Sequence, residues 1–402
     1  MRSLASEKSL AGVWALAVVL ALVLLAGCGP AARGPVSAST ALVQVPEGGW
    51  PLLLDDLDTD SFVQACDYSL AYLRRLPPER KFIFGPYRVS ARRMISGLLR
   101  AKEIFTTVAD PVARTAAFQR EFRLFKSVGS DGRGTVLMTG YYEPVMAARR
   151  QRQPPYVYPL YGLPEDLVRV DLRAFGLKVG KRSLVGRLQG KWVVPYPDRD
   201  QIEHKNALKG KARVLAYLAD PVDTFFLHIQ GSGQLVFADG SRMRVGYAGS
   251  NGHPYRSIGA LLIAQGLLPR HKVSMQSIQA YLSAHPQERR RILGHNPSYV
   301  FFRVLPADGG PLGCYNQPVT GGRSIATDRR IFPAVALAFI HGYLPGPGNE
   351  PDPFSRFVFN QDTGGAIRGP GRLDLYFGSG PYAGSLAGRM KHRGVMYFLA
   401  PR

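Results

Sequence analysis

The stretch Gln361–Gly380 limits what this chain can fold into more than any other. It reads Gln-Asp-Thr-Gly-Gly-Ala-Ile-Arg-Gly-Pro-Gly-Arg-Leu-Asp-Leu-Tyr-Phe-Gly-Ser-Gly. Glycines at 364, 365, 369 and 371 permit left-handed turns and close approach of a ligand. The run Leu373-Asp374-Leu375-Tyr376-Phe377 that follows favours a strand closed by Gly378. Alternation then puts Asp374 and Tyr376 on one face and Leu373, Leu375 and Phe377 on the other. A lone carboxyl between apolar neighbours is where a pKa can rise, as a general acid requires. The competing reading is a turn aspartate capping local amides.

The chain has 402 residues, enough for two or three domains. Residues 1–27 read as an export signal: Arg2 and Lys8 form a basic start, and an apolar segment runs from Leu10 to Leu25. Leu25-Ala26-Gly27-Cys28 resembles a lipobox, in which Cys28 receives the lipid. A membrane-spanning helix is the alternative, at the short limit for crossing. Gly29 rather than Asp follows the cysteine, and the resemblance to sorted lipoproteins implies a lipid-anchored location on the periplasmic face of the outer membrane. Residues 28–50 read as a flexible tether. Cys66 and Cys314 are too few for a disulfide framework, and whether they pair is not deducible.

The net charge of +22 points to a polyanionic partner. No nucleic-acid motif is present, so wall peptides with free carboxylates or anionic headgroups fit better.

Helices are expected over Asp60–Arg75, Ser90–Phe105 and from Asp110-Pro111 to about Lys126, with Asp110 as cap. Strands are expected at 134–142, 156–161, 192–196, 243–247, 299–304, 334–343, 354–359 and 395–399. The segment Asp223–Phe237 reads as strand, glycine turn and strand, with His228 packed in the first. Short helices are expected over 198–208, 256–267 and 273–285. Strands flanking a long central segment suggest a mainly β fold with helices, a barrel interrupted by an insertion.

Histidines lack metal-ligand spacing, there is no nucleophile elbow, and no phosphate-cradling loop occurs, so neither metal nor cofactor is expected. What remains is carboxylate chemistry among Tyr, Gln, Asn and Ser, a mixture suited to carbohydrate. Glu143, at a strand end beside two tyrosines, rivals Asp374 or serves as a hydrogen-bonded structural group.

The motifs Gly140-Tyr141-Tyr142-Glu143-Pro144, Ile229-Gln230-Gly231-Ser232-Gly233, Tyr247-Ala248-Gly249, Asn251–Gly259, Asn296–Phe302, Arg323–Asp328 and Asp362–Gly369 followed by Asp374 resemble, in order, the membrane-bound lytic murein transglycosylase A family. The last part is similar to the three-aspartate domain, whose acids fall on Asp328, Asp362 and Asp374.

The resemblance implies a double-psi β-barrel with a second β-domain inserted into it and a substrate groove between. Residues 51–144 would hold the N-terminal helices and the first barrel part, 145–302 the insertion and 303–402 the rest. It implies Asp374 as catalytic acid, with Asp328 and Asp362 supporting. Groove contacts are expected from Tyr142, Gln230, Ser232, Tyr247, Asn251 and Tyr376. Peptidoglycan strands would be the substrate, and cell-wall synthesis or division proteins the partners. A two-carboxylate hydrolase pairing Asp374 with Glu143 or Asp362, and a non-catalytic wall-binding lipoprotein, are the alternatives.

Overall fold

A computed structural model describes residues 36–176, 183–306, 310–346 and 350–402. Cys28 and the signal lie outside the described residues. The tether is shorter than expected: Ala41 and Leu42 are buried, and Leu42–Gln44 pairs antiparallel with Phe122–Ser127. No helix among the described residues is long and apolar enough to cross a membrane.

Three helices come first, each started by a side-chain cap. Asp58 accepts from the Ser61 amide to begin Thr59–Leu73. Ser90 begins Ala91–Thr107, and Asp110 with Pro111 begins Pro111–Glu121. Such caps satisfy amides that the first turn leaves without partners. The third helix stops at Glu121, short of the expected Lys126, because Phe122–Ser127 is a strand paired with Lys391–Pro401. Phe118, Phe122 and Phe125 are spaced as on a helix, yet the strand gives this backbone a ladder of hydrogen bonds.

Six strands close into a ring. Lys391–Pro401 pairs with Leu337–Pro345, which pairs with Pro351–Asp362, then Ser324–Ala326, Arg372–Ser379 and Val136–Glu143, and the last pairs back to Lys391–Pro401. Closure removes free sheet edges. The helices pack on its outside: Phe62 stacks on Phe105 with centroids 4.0 Å apart, and both meet Phe357 edge-on.

One buried ion pair fastens helices to ring. The Arg323 fork reaches both oxygens of Asp55 at 2.7 and 2.8 Å and also donates to Ser61 Oγ, Phe357 O and Asp58 O. Neither partner is more than 1% exposed. Every donor finds an acceptor, the condition under which a buried pair is tolerated.

Between the Val136–Glu143 and Ser324–Ala326 strands the chain builds separate sheets, including Val145–Ala147, Ser232–Val236, Arg242–Ser250 and Val300–Leu305. Here the structure corrects the expectation for Asp223–Gln230: Pro221–Gln230 is a helix. Asp220 caps it, Pro221 takes its first position, and Gly231 ends it in left-handed geometry (φ 76°). Those end signals override the strand preference of Phe225-Phe226-Leu227-His228-Ile229. His228 is packed, as expected, but on this helix. The Arg199 guanidinium donates to its Nδ1, and burial, reinforced by that cation, holds its pKa well below the usual histidine range. The helix Gly380–Arg389 and the strands Val168–Asp171 and Ser183–Gln189 are further elements the sequence pattern did not disclose.

Arg323→Ala should destabilise the fold by about 3–5 kcal/mol, because it strands the buried Asp55 carboxylate. Replacing both partners, Arg323→Met with Asp55→Leu, should cost much less. Urea unfolding of the two variants checks the difference.

Candidate active site

The Ser324–Ala326 strand lies between the Pro351–Asp362 strand, to which it runs parallel, and the antiparallel Arg372–Ser379 strand. Ala326 is the register partner of Asp362 on one side and of Asp374 on the other. Two strand spacings separate the acids, so their Cα atoms lie roughly 10 Å apart. Asp374 is in turn opposite Thr139, and Tyr376 opposite Tyr141, on the parallel Val136–Glu143 strand. Register partners share a face, so Asp374, Thr139, Tyr376 and Tyr141 line one side of the sheet.

Asp374 is only partly exposed. Thr139 Oγ1 donates a hydrogen bond to its Oδ1, and Arg372 reaches the same hydroxyl at 3.3 Å. Burial pushes the Asp374 pKa up to about 6; the Arg372 charge opposes this and the Asp362 charge adds to it. Asp362 is likewise lifted by burial to about 6, against the Thr363 amide, the Tyr141 hydroxyl and the Cys314 amide, which favour its charged form. The two amides meet its Oδ1 at 2.8 and 3.0 Å. At both acids burial is the main cause of the rise, and the Asp362 charge adds to it at Asp374.

The remaining carboxyls are tied down. For Asp328 burial alone would raise the pKa, but the Arg330 guanidinium and the Gly369 and Arg330 amides hold it at about 2. Its bond to the Gly369 amide, at 2.9 Å, fixes the loop that leads into the Asp374 strand. Glu143 is fully buried and accepts from Gln234 Nε2, Ser379 Oγ and Arg244 at 2.8, 2.6 and 3.4 Å. It joins the ring to the inserted sheet, the structural role weighed against catalysis in the sequence. Four residues beyond Thr139 on the strand, it sits about 13 Å along from the Asp374 register pair.

Among the expected groove residues, Tyr142 and Gln230 adjoin, the Tyr142 amide donating to Gln230 Oε1 at 3.2 Å. The Tyr142 ring lies against Gly384, where a side chain would collide with it. Ser232 is half-buried nearby at the start of the inserted sheet, and Tyr247 is 51% exposed. Two expectations need correction. Asn251 is buried, its amide donating to Pro197 O and Pro297 O and its carbonyl accepting from the Tyr299 amide. Its hydrogen-bonding capacity holds loops together and leaves little for a ligand. Tyr376 is also buried, its ring 5.1 Å from that of Tyr141.

Thr139, Tyr141 and Arg372 are site residues the sequence reading did not assign. The usable signal was two-residue alternation along the strand, which puts Thr139 and Tyr141 on one face.

Cys66 and Cys314 are free thiols. Among the described residues no group of three or more His, Cys, Asp or Glu is arranged to hold a metal ion. Two concavities, of about 400 and 530 Å³, lie on the inserted segment, and neither is lined by Asp362 or Asp374.

The MltA specific insert domain matches residues 137–303, and the 3D domain matches residues 323–400. The membrane-bound lytic murein transglycosylase A of Escherichia coli K12 is 37% identical over 276 residues, 67% of either chain. Its Vibrio cholerae counterpart is 34% identical over 281 residues, again 67% of each. A membrane-bound lytic murein transglycosylase from Agrobacterium tumefaciens superposes with a TM-score of 0.76 at 32% identity, covering 90% of this chain and 98% of that one. The Escherichia coli MltA structure with bound chitohexaose gives 0.70 at 26% identity, covering 93% and 99%.

The folded pKa of Asp374 exceeds that of an unfolded aspartate, so the native state binds this proton more tightly. That contribution is full below pH ~4 and is lost as pH rises through about 6. Asp374→Asn should therefore be more stable than the parent at neutral pH, by on the order of 1–3 kcal/mol. Urea melts across this pH range should show a shallower loss of stability in the variant.

Proposed function

The chain belongs to the membrane-bound lytic murein transglycosylase A family, and on that premise we propose that Asp374 is the single acid and base that cuts peptidoglycan glycan strands without water. The bond broken is the β-1,4 link between N-acetylmuramic acid and N-acetylglucosamine. The observation that carries this reading is a partly accessible carboxyl lifted to about 6. Asp328 is paired with Arg330, and Glu143 is fully buried, with its Oε2 held by Gln234, Ser379 and Arg244 and its Oε1 without a partner.

Protonated Asp374 donates to the glycosidic oxygen as the bond to the muramic acid C1 breaks. The resulting carboxylate takes the proton of the C6 hydroxyl on the same ring, whose oxygen closes on C1 to give a 1,6-anhydro end. An intramolecular nucleophile has a high effective concentration, which makes a second catalytic carboxylate dispensable. Thr139 orients the acid, and Arg372 favours its return to the charged form. Asp362 raises the Asp374 pKa from across Ala326, and Asp328 anchors the loop before it. Tyr142, Gln230, Ser232 and Tyr247 are the groove contacts we retain. The six-strand ring is read as the double-psi barrel, with residues 145–302 inserted and the glycan lying between. Chitohexaose bound to the Escherichia coli relative supports a β-linked amino-sugar chain as the occupant. The relatives' membrane-bound character supports membrane association here, through lipid on Cys28 at the periplasmic face of the outer membrane.

A specific observation favours one second reading: Asp362 is lifted as far as Asp374. A hydrolase using both acids would activate water between them. Mass analysis of products from purified sacculi separates the two, because hydrolysis adds a water that anhydro ends lack. Anhydro-muropeptides are expected, and Asp374→Asn should release them roughly 10²–10⁴-fold more slowly. The parent rate should fall as pH rises through about 6, where the acid loses its proton. Water-added products, or full activity in Asp374→Asn, would reject the proposal.

A further inference from the structure

Within the insertion, Val168–Asp171, Ser183–Gln189 and Trp192–Pro195 form a three-stranded ribbon, the last two strands joined by the two-residue turn Gly190-Lys191. Its register pairs Leu188 with Val193 and Val170 with Leu184. Alternation places these four on one face. That face carries Leu184, Leu188 and Val193 at 46%, 62% and 46% exposure, and Trp192 beside the turn is 78% exposed. A soluble ribbon normally turns polar side chains outward, and singly scattered apolar residues need no explanation. Here the three aliphatic residues share a face, and Trp192, paired with Gln189 on the other face, sits with Leu188 and Val193 at the tip.

Behind the ribbon is the concavity of about 530 Å³. Arg187 and Gln189 line it from the ribbon, and Lys205, Lys209 and Lys211 from the opposite wall, with no Asp or Glu among its lining residues. Lys211 meets Asp166 at 3.2 Å and Lys205 meets Asp200 at 3.6 Å, whereas Lys209 and Arg187 have no ion pair among the described residues. Arg187 Nε is buried with no acceptor.

An apolar tip with an indole, backed by four cations of which Lys209 and Arg187 have no ion pair among the described residues, matches the depth profile of a bilayer surface. Aliphatic groups and Trp enter the acyl boundary, while Lys and Arg stay with the phosphates. A glycan would use the indole, and the carboxylates of wall peptides would meet the cations, but neither has need of the exposed Leu and Val face. We propose that the ribbon Ser183–Pro195 and the basic concavity behind it are a membrane contact for anionic phospholipid. This contact is separate from the N-terminal anchor and independent of the reaction assigned to Asp374.

The test uses the lipidated chain with Trp50→Phe, which leaves Trp192 as the single indole beyond the signal segment. The protein is reconstituted in vesicles of phosphatidylethanolamine with phosphatidylglycerol, or of phosphatidylcholine alone, each carrying brominated acyl chains. The anchor tethers the chain to both, so quenching of Trp192 reads the ribbon. Blue-shifted, quenched emission is expected in the anionic vesicles, fading with added salt. Lys205→Ala and Lys209→Ala should each weaken the contact roughly fivefold. Leu188→Asn should reduce quenching while leaving the salt dependence intact. Emission that is the same in both vesicles and in detergent would overturn the proposal. So would quenching indifferent to lipid charge and to both lysines, or a shift produced by soluble chitohexaose and not by vesicles.

Discussion

Much of this molecule depends on the register of a three-residue strand. Ser324, Ile325 and Ala326 are all buried, and their backbone is shared between a parallel neighbour and an antiparallel one. A slip of one residue would turn Ile325 out of the core and break the alignment of Asp362 with Asp374 across Ala326. What fixes the register sits immediately before it. Arg323 is locked by Asp55, Ser61 and two carbonyls, so the strand starts from a point that cannot slide. The helices therefore contribute to the site without touching it.

The inserted segment uses the same device. Arg199 is fully buried and donates to Asn296 O, Ser298 O, Glu203 and His228, with its guanidinium 4.7 Å from the Phe225 ring centroid and 5.1 Å from that of Tyr299. A planar cation with five donors can hold several loop carbonyls in one geometry, which a lysine at the same place could not. Asn251 continues the clamp to Pro197 and Pro297. A polar side chain in a motif suited to sugar can thus serve internal architecture, as Asn251 does here.

Features with local causes were legible in the sequence. Asp58, Ser90 and Asp110 with Pro111 announced three helix starts, and Val136–Glu143 was readable from its β-branched and aromatic run. Asp374 stood out because its strand neighbours are apolar. The errors arose where two local signals compete: a Phe-Phe-Leu-His-Ile run favours a strand until the flanking Asp220-Pro221 and Gly231 are weighed. Phe122–Ser127 reads as helix from sequence because its partner lies some 275 residues away and its own pattern fits both periods. Thr139 and Arg372 went unassigned because their link to Asp374 depends on strands adjacent only in space.

The strand Lys391–Pro401 pairs with three others: its first residues with Val136–Glu143, its middle with Leu337–Pro345, and its last with Phe122–Ser127. It is the hoop that closes the ring. Pairings between segments so far apart in sequence are slow to form. Until residues 391–401 lie against all three partners the ring stays open, and Asp362, Asp374 and Thr139 have no common scaffold to align them.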